Sequence, residues 1–285
     1  MSKSAGMQRP LTRLRLDLAF PSAFARRYAI VKPDYPLITV LYLLKLKDLA
    51  AVPLTSDMED ERRAVFGFSS LKRLVKMGPK QFAPFLQGPC EDAADELDCL
   101  TADQDLGELL DSFRSRRLGF VLMRGPDPRG PRSLVTLGET LGLYEKGTIQ
   151  TDMVAADVAS PIFSMPESAS VRQALEEMLS RGYRRVFVSD TGCYISDRSI
   201  IEHTLTPSAL EDFMEDPDRD PLAVPIGKLW SVAPVRTAPH QSLKAAALKL
   251  RQQRGDCLVI DGDMVITPWD LVMKPWISGR LAIAR

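Results

Sequence analysis

The sequence predicts a mixed α/β (α+β) fold in which one small unit of strand, helix, strand, strand and helix is repeated four times. Two observations support this prediction. Helices with one apolar face recur along the chain, each flanked by two short apolar segments of strand character. Downstream of each helix, an apolar strand ends in a hydroxyl residue where a second helix opens. One unit is too small to bury a good core, so we expect the units to pack in pairs, sheet against sheet.

The third copy, from Val154 to Leu205, is the clearest. Its first helix is predicted over Val171–Arg181, because its apolar residues follow a helical spacing and Ser170 and Gln173 can form a capping box. Gly182 is expected to end this helix in a left-handed conformation. The remaining predicted features are strands over Ile162–Met165 and Arg185–Ser189, a tight turn at Thr191 and Gly192, a third strand, and a second helix that opens at Ser196, Asp197 and Arg198.

The other copies have the same pattern with insertions in their hairpin loops. The hydroxyl residues expected to open the second helices are Ser69, Thr136, Ser196 and Thr267. The predicted organisation is a basic N-terminal arm (1–18), repeat 1 (19–79), repeat 2 (80–146), repeat 3 (147–210), an acidic linker (211–221) and repeat 4 (222–280). We expect consecutive repeats to pair, with the polar stretch Tyr144–Gln150 as the seam between the pairs.

Composition excludes several classes of protein. The 37 basic and 37 acidic residues cancel, so no net field attracts nucleic acid or an anionic membrane. No apolar run approaches the roughly 20 residues that span a bilayer. The basic N-terminus lacks the apolar core of a secretory signal. We therefore expect a cytoplasmic protein that does not use a membrane, and nucleic-acid binding through the basic N-terminal arm is the less favoured alternative.

The reactive residues show no catalytic or metal-binding pattern. The four cysteines contain no C-x-x-C pair, and only His203 and His240 are available beside them, so we expect reduced thiols and no metal site. None of the common nucleophile, phosphate-loop, zinc-protease or dinucleotide motifs is present. The sequence therefore predicts a protein without catalytic residues or a cofactor.

The third and fourth copies resemble a known family. DVASPIFSMPESASVRQALEEM, followed by RRVFVSD and YISDRSI, resembles a CBS domain, and PVRTAPHQSLKAAA through ITPWDLV is similar. In that family two tandem repeats pack as a Bateman module, and four form a pair of modules, as in the gamma subunit of AMP-activated protein kinase. The resemblance covers nearly the whole chain. It implies two Bateman modules that bind adenosine derivatives in clefts between paired repeats.

The resemblance also implies a set of site residues. The family's ligand signature is an apolar strand that ends in Thr or Ser followed by Asp, whose two carboxylate oxygens can accept from both ribose hydroxyls. Ser196 and Asp197 match this signature, and Arg198 is placed where a guanidinium can reach a phosphate near the helix N-terminus. The candidates for contact with the adenine are Ile162, Ser164, Val186 and Phe187.

The other copies depart from the signature. Leu137 and Pro268 stand at the acidic position of repeats 2 and 4 and cannot accept from a ribose. Ser69 and Ser70 of repeat 1 are candidates for a weaker site. Asp270 of repeat 4 is expected to face solvent or basic neighbours. We therefore expect one competent site, in the cleft of the second pair of repeats.

The residues leave plainer alternatives open. Asp197 can act only as a carboxylate near a helix N-terminus, a contribution of about 0.3–1 kcal/mol to stability. Arg184 and Arg185 are interpreted as guards of an exposed sheet edge. The leading hypothesis is a regulatory protein that senses AMP, ADP, ATP or another adenosine derivative and modulates an unidentified protein partner. The alternative is a ligand-free CBS scaffold that selects a protein partner, and a homodimer stays open in either case.

Overall fold

The computed structural model describes residues 14–25, 29–55, 63–125, 132–206, 209, 211, 215–216, 218–252 and 256–283. The predicted basic arm lies outside these residues as far as Arg13. Most of the two hairpin insertions, Ser56–Arg63 and Gly125–Arg132, and part of the acidic linker also lie outside them.

The elements follow the predicted repeat order. The helices are Leu16–Ala19 (α1), Pro21–Ala25 (α2), Leu37–Leu46 (α3), Gly67–Leu74 (α4), Pro79–Gln87 (α5), Leu106–Arg116 (α6), Leu137–Glu145 (α7), Ala155–Val158 (α8), Val171–Arg181 (α9), Asp197–Thr204 (α10), Leu243–Gln252 (α11) and Pro268–Ile277 (α12). Short 3-10 helices occupy Cys90–Ala93 and Ile226–Lys228. The strands are Val52–Pro53 (β1), Arg63–Val65 (β2), Asp95–Glu96 (β3), Cys99–Thr101 (β4), Phe120–Arg124 (β5), Arg132–Thr136 (β6), Ile149–Gln150 (β7), Ser160–Pro161 (β8), Ser164–Met165 (β9), Arg185–Val188 (β10), Tyr194–Ser196 (β11), Val235–Arg236 (β12), Leu258–Ile260 (β13), Met264–Ile266 (β14) and Ala282–Ile283 (β15).

The small sheets confirm the mixed α/β fold. In repeat 3 the strand order is β11-β10-β9, with β9 parallel and β11 antiparallel to β10. Repeat 2 has the same arrangement in β4, β5 and β6. Repeat 4 extends it with β8, which pairs with β14. In repeat 1 the parallel strand is reduced to a single bridge between Val31 and Leu54.

The first helix of repeat 3 forms as its sequence predicts. The Ser170 hydroxyl accepts from the Gln173 backbone N–H at 3.2 Å, and the Gln173 side chain accepts from the Ser170 N–H at 2.9 Å. Gly182 ends the helix with a φ of +68°. Both ends of α9 are therefore determined by local interactions.

The chain divides into two compact units that each combine non-consecutive repeats. The repeat 1/3 unit contains residues 29–97 and 162–234, and the repeat 2/4 unit contains residues 1–28, 98–161 and 235–285. The expected seam at Tyr144–Gln150 lies inside the repeat 2/4 unit, where Tyr144 is fully buried and its hydroxyl donates to the Leu271 carbonyl at 2.9 Å. The division differs from the expected consecutive pairs because the apolar helix faces of alternate repeats share one core.

The core of the repeat 1/3 unit joins the helices of both repeats. Leu37, Leu41 and Leu71 of repeat 1 lie in one apolar cluster with Leu175 and Ile200 of repeat 3. The repeat 2/4 unit has its own cluster, built chiefly from α6, α7, α11 and α12. Each unit therefore buries the apolar helix faces that a single repeat would leave exposed.

Two local expectations are wrong, and a third is right in only one of its two alternatives. Helix α4 begins at Gly67 after Phe66, so Ser69 is its third residue rather than the residue that opens it. Asp270 pairs with a basic neighbour, Lys274, at 3.0 Å, which confirms one of the two expected alternatives. It does not face solvent: it is buried, and its carboxylate also accepts from the Thr267 N–H and the Ser160 hydroxyl. Strand β10, which begins at Arg185, is central in its sheet, so Arg184 and Arg185 do not guard an edge.

The described residues contain no helix that is long and apolar enough to cross a bilayer. In the same part of the chain no group of three or more His, Cys, Asp or Glu side chains could hold a metal ion. The four cysteines are free thiols. Burial raises the pKa of the Cys90 thiol to about 11.

Candidate functional site

Strand register places the Ser196–Asp197 motif opposite the start of β10. Strands β10 and β11 form a hairpin in which Arg185 lies opposite Ser196, and the turn between them uses a positive φ of +66° at Gly192. The Asp197 backbone N–H donates to the Arg184 carbonyl at 3.2 Å, which continues the pairing one residue beyond the strands. Arg184 and Asp197 are therefore direct cross-strand neighbours.

Ser196 is the N-cap of α10, as the signature predicts. Its hydroxyl accepts from the Ser199 backbone N–H at 3.3 Å, and its backbone is extended before the helix begins. Ser196 is buried, so this hydroxyl lies in a dry environment. Asp197 follows as the first helical residue, where the positive end of the helix dipole favours a carboxylate.

The Asp197 carboxylate is almost fully covered and carries an ion pair. Its side chain is 7% exposed, whereas that of Arg184 is 44% exposed. The Arg184 guanidinium donates from Nε and Nη2 to the same oxygen, Oδ2, at 3.0 and 2.6 Å. No described residue donates a hydrogen bond to Oδ1. One oxygen of Asp197 is therefore occupied, and the other is available.

Repeat 1 approaches this carboxylate through Gly67, the first residue of α4. A β carbon at Gly67 would lie 3.5 Å from Asp197 Oδ2 and 2.8 Å from Ile201 Cδ1. The second distance is too short for an ordinary contact, so a side chain at position 67 would require the end of the Ile201 side chain to move. The candidate carboxylate therefore lies at the interface of repeats 1 and 3.

Arg198 is engaged in other ion pairs. Its guanidinium pairs with Asp48 of repeat 1 and with Glu202 one turn along α10, the latter at 3.1 Å. The side chain is half-exposed. A phosphate contact by Arg198 would therefore have to replace its two carboxylate partners.

His203 lies further along α10. Burial lowers the pKa of His203, so its imidazole is neutral at pH 7.

The four adenine candidates lie on both faces of the repeat 3 sheet. Ser164 is exposed and pairs with the buried Phe187 across parallel strands, and Ile162 is half-buried on the same side as Ser164. Val186 belongs to the apolar core of the repeat 1/3 unit, on the opposite side. The structure therefore brings Ile162, Ser164 and Phe187 to one face and separates Val186 from them.

The serine pair of repeat 1 lies inside that repeat. Ser69 and Ser70 are buried, and both hydroxyls lie within hydrogen-bond distance of the Phe66 carbonyl, at 2.8 and 3.3 Å. Ser69 also contacts the Ala93 carbonyl at 2.8 Å. The residues of repeat 1 that match Ser196 and Asp197 in position are instead Phe66 and Gly67.

Sequence reasoning missed the contribution of the two arginines at the start of β10, Arg184 just before the strand and Arg185 as its first residue. Arg184 holds Asp197, and the buried Arg185 Nε has no hydrogen-bond partner among the described residues. The signal that could have found them is the hairpin register. If residues are counted outward from the turn, residue 185 falls opposite residue 196, and residue 184 falls opposite residue 197.

An open depression of about 430 Å³ lies elsewhere on repeat 3. It is lined by Met165, Pro166, Ser168, Ala169, Gln173, Glu176 and Glu177. None of these is a candidate site residue. Two glutamates in its lining also make it a poor match for an anionic nucleotide.

These features are those of a chain that repeats one small α/β unit. Residues 154–203 match the family model described as CBS domain, so repeat 3 is a CBS domain that includes Ser196 and Asp197. A comparison with curated proteins finds no match.

Solved structures extend this fold to the rest of the chain. The fold is similar to that of protein MJ1225 from Methanocaldococcus jannaschii, which is described as a candidate archaeal homolog of g-AMPK. The two sequences are 15% identical, and the alignment covers 92% of this chain and 100% of that chain with a TM-score of 0.79. An uncharacterized conserved protein from Pyrococcus horikoshii aligns over 86% of this chain and 94% of its own, with 13% identity and a TM-score of 0.51. At these identities the likeness concerns the fold alone.

Proposed function

We propose that the protein is a non-catalytic, cytoplasmic regulator that binds an adenosine derivative such as AMP, ADP or ATP at Ser196 and Asp197. The bound ligand would modulate an unidentified protein partner. The presence of a CBS domain in the chain rests on the family match over repeat 3. The ligand and the partner are the parts that we propose.

The observation that carries the proposal is the position of Asp197. The four second helices begin with Gly67, Leu137, Asp197 and Pro268. Among these four residues only Asp197 can accept from a ribose hydroxyl. Its Oδ1 has no hydrogen-bond partner among the described residues and can therefore accept one. A ligand hydroxyl would supply the missing donor.

A second observation supports an anionic ligand. The Arg185 Nε is buried without a hydrogen-bond partner in the described part of the chain. Arg185 lies directly opposite Ser196, beside the N-terminus of α10. A phosphate oxygen near this helix end would satisfy the guanidinium and interact favourably with the helix dipole. Arg198 stays a candidate for the same role only if it leaves Asp48.

The proposed output is a shift between two packings of α10. Helix α10 contacts α4 of repeat 1 at Gly67, so a ligand that moves Asp197 also changes the packing of repeat 1. A ligand can shift such an equilibrium only by its difference in affinity for the two packings. A partner that binds only one of the two packings would therefore respond to the presence of the ligand.

A second candidate function also has a specific observation in its favour. The Asp197 side chain is 7% exposed and already paired with Arg184, as expected of a structural ion pair. In that case the repeats form a ligand-free scaffold that selects a protein partner. The two candidates differ in whether any adenosine derivative binds.

The test is thermal melting with AMP, ADP, ATP, adenosine and S-adenosylmethionine. A ligand at one hundred times its dissociation constant should add about 2.7 kcal/mol to the unfolding free energy. The Asp197→Asn variant keeps the side-chain shape and should lose this shift. The matched control is Asp220→Asn, because Asp220 also pairs with an arginine of repeat 3, Arg172, at 2.8 Å.

The control should melt lower than the wild type but respond to the ligand to the same degree. The absence of a shift with all five compounds would exclude the sensor and favour the scaffold. A shift that Asp197→Asn retains in full would move the ligand to another site.

A further inference from the structure

The ion pairs and the strand pairing at the start of α10 bring together charges that cancel. The cations of this cluster are Arg184, Arg185 and Arg198, and its anions are Asp48, Asp197 and Glu202. Three positive and three negative charges at pH 7 leave no net charge, and the neutral His203 adds none. A ligand with several phosphates therefore gains no net Coulomb attraction from the cluster.

Asp48 is the member of this cluster that comes from repeat 1. It follows the end of α3 with a φ of +52°, in a turn where the Leu49 N–H donates to the Leu44 carbonyl at 3.0 Å. Glycine is the usual residue at this position of such a turn, and a carboxylate at the C-terminal end of a helix interacts unfavourably with the helix dipole. The local backbone thus disfavours an aspartate here, whereas the ion pair with Arg198 of repeat 3 favours it.

The Asp48 carboxylate opposes a bound phosphate in two possible arrangements. A phosphate that binds Arg198 must replace Asp48. A phosphate that is held by Arg185 and the N-terminus of α10 leaves Asp48 in place, and the two like charges repel each other. The pair of Asp48 and Arg198 is at least half-exposed on both sides, and such a pair changes an equilibrium constant by up to about fivefold.

We propose that Asp48 is a specificity-determining residue that makes the site favour adenosine derivatives with few phosphate groups. This inference rests on the proposed function, because it concerns the ligand of the same site. Coulomb repulsion is proportional to the charge of the ligand. The Asp48 carboxylate therefore weakens the binding of ATP more than that of AMP, and it does not weaken the binding of adenosine.

The test measures the dissociation constants of adenosine, AMP and ATP by isothermal titration calorimetry on the wild type and on Asp48→Asn. Asparagine removes the charge, keeps the side-chain shape and tolerates a positive φ. We expect the affinity for adenosine to stay the same, that for AMP to rise by up to about fivefold, and that for ATP to rise by more. At about 1 M salt the Debye length is about 3 Å, so both gains should disappear.

Two further variants separate the charge of Asp48 from its effect on the backbone. Asp48→Gly also removes the carboxylate and suits the positive φ, so it should show the same order of gains. The control is Asp261→Asn, because Asp261 of repeat 4 also has a φ of +52° but belongs to none of the ion pairs of the cluster. This control should keep the wild-type dissociation constants for all three compounds.

The outcomes distinguish this inference from the proposed function. If AMP and ATP bind the wild type and neither Asp48 variant changes their affinities, the inference is wrong while the nucleotide site stands. Equal gains for adenosine and ATP would also overturn it, because the effect would then concern packing rather than charge. If none of the three compounds binds the wild type or the variants, and the thermal melts are flat, both proposals fail.

Discussion

Gly67 and Ile201 meet where α4 of repeat 1 packs against α10 of repeat 3, and this contact yields a quantitative prediction. In Gly67→Ala the new methyl group would lie 2.8 Å from Ile201 Cδ1. Overpacking of this kind costs about 1–3 kcal/mol, and the higher helix propensity of alanine returns about 0.5–1 kcal/mol. The difference between these ranges is a net loss of about 0–2.5 kcal/mol in unfolding free energy, and we expect about 1–2 kcal/mol because Ile201 is buried in the core and cannot move freely.

A double-mutant cycle tests this reasoning directly. Ile201→Val removes the atom that collides and should cost about 0.5–1.5 kcal/mol by itself, because Ile201 is buried. The double variant should then be no less stable than Ile201→Val, which gives a coupling free energy of about 1–2 kcal/mol. The unfolding free energies are measured by urea denaturation followed by circular dichroism.

The control for the cycle is Gly138→Ala, at the second position of α7. A β carbon there would have only Thr136 Oγ1 nearby, at 3.6 Å, an ordinary contact. This variant should be as stable as the wild type or more stable. Additive losses in the Gly67 and Ile201 cycle, to within about 0.5 kcal/mol, would refute the proposed close contact between α4 and α10.

Two further predictions concern buried polar groups and pH. The Ser133 hydroxyl is buried without a hydrogen-bond partner in the described residues. Ser133→Ala should therefore raise the unfolding free energy, measured by urea denaturation, by about 1 kcal/mol. The control, Ser112→Ala, loses a 2.6 Å hydrogen bond to Asp98 and should lower the unfolding free energy. Hydrogen bonds from Arg172 hold the pKa of Asp220 below its ordinary value of 3.8, so this pair stabilises the fold above that value and is lost as the pH falls through the lowered pKa. The unfolding free energy of Asp220→Asn should therefore fall less steeply than that of the wild type between about pH 5 and pH 3, and parallel curves would contradict this.

Local signals predicted the elements they control. The capping box of Ser170 and Gln173 and the glycine at position 182 set both ends of α9, and the predicted range Val171–Arg181 is the observed one. The start of α4 was predicted wrongly because Ser69 and Ser70 resemble a capping pair in sequence. The chain instead enters this helix at Phe66, which has no hydroxyl.

Contacts between distant residues could not be predicted in the same way. The choice of partner repeat depends on which apolar helix faces share a core, and all four repeats have such faces. The contacts of Asp270 with Thr267 and Lys274 are local, whereas its contact with Ser160, 110 residues earlier, could not be predicted. The motif at Ser196 and Asp197 is visible in the sequence, whereas the state of its carboxylate depends on the cross-strand position of Arg184.

The interleaved order of the two compact units has a consequence for biosynthesis. The repeat 1/3 unit needs residues up to 234, and in the other unit β15 near the C-terminus pairs with β7 near the middle of the chain. Neither unit is a continuous segment, so a ribosome cannot release one finished unit while it synthesises the next. Repeats 1 and 2 must emerge with apolar helix faces still uncovered, and many contacts form across long sequence separations, which slows folding. The nascent chain should therefore depend on chaperones until its second half has been made.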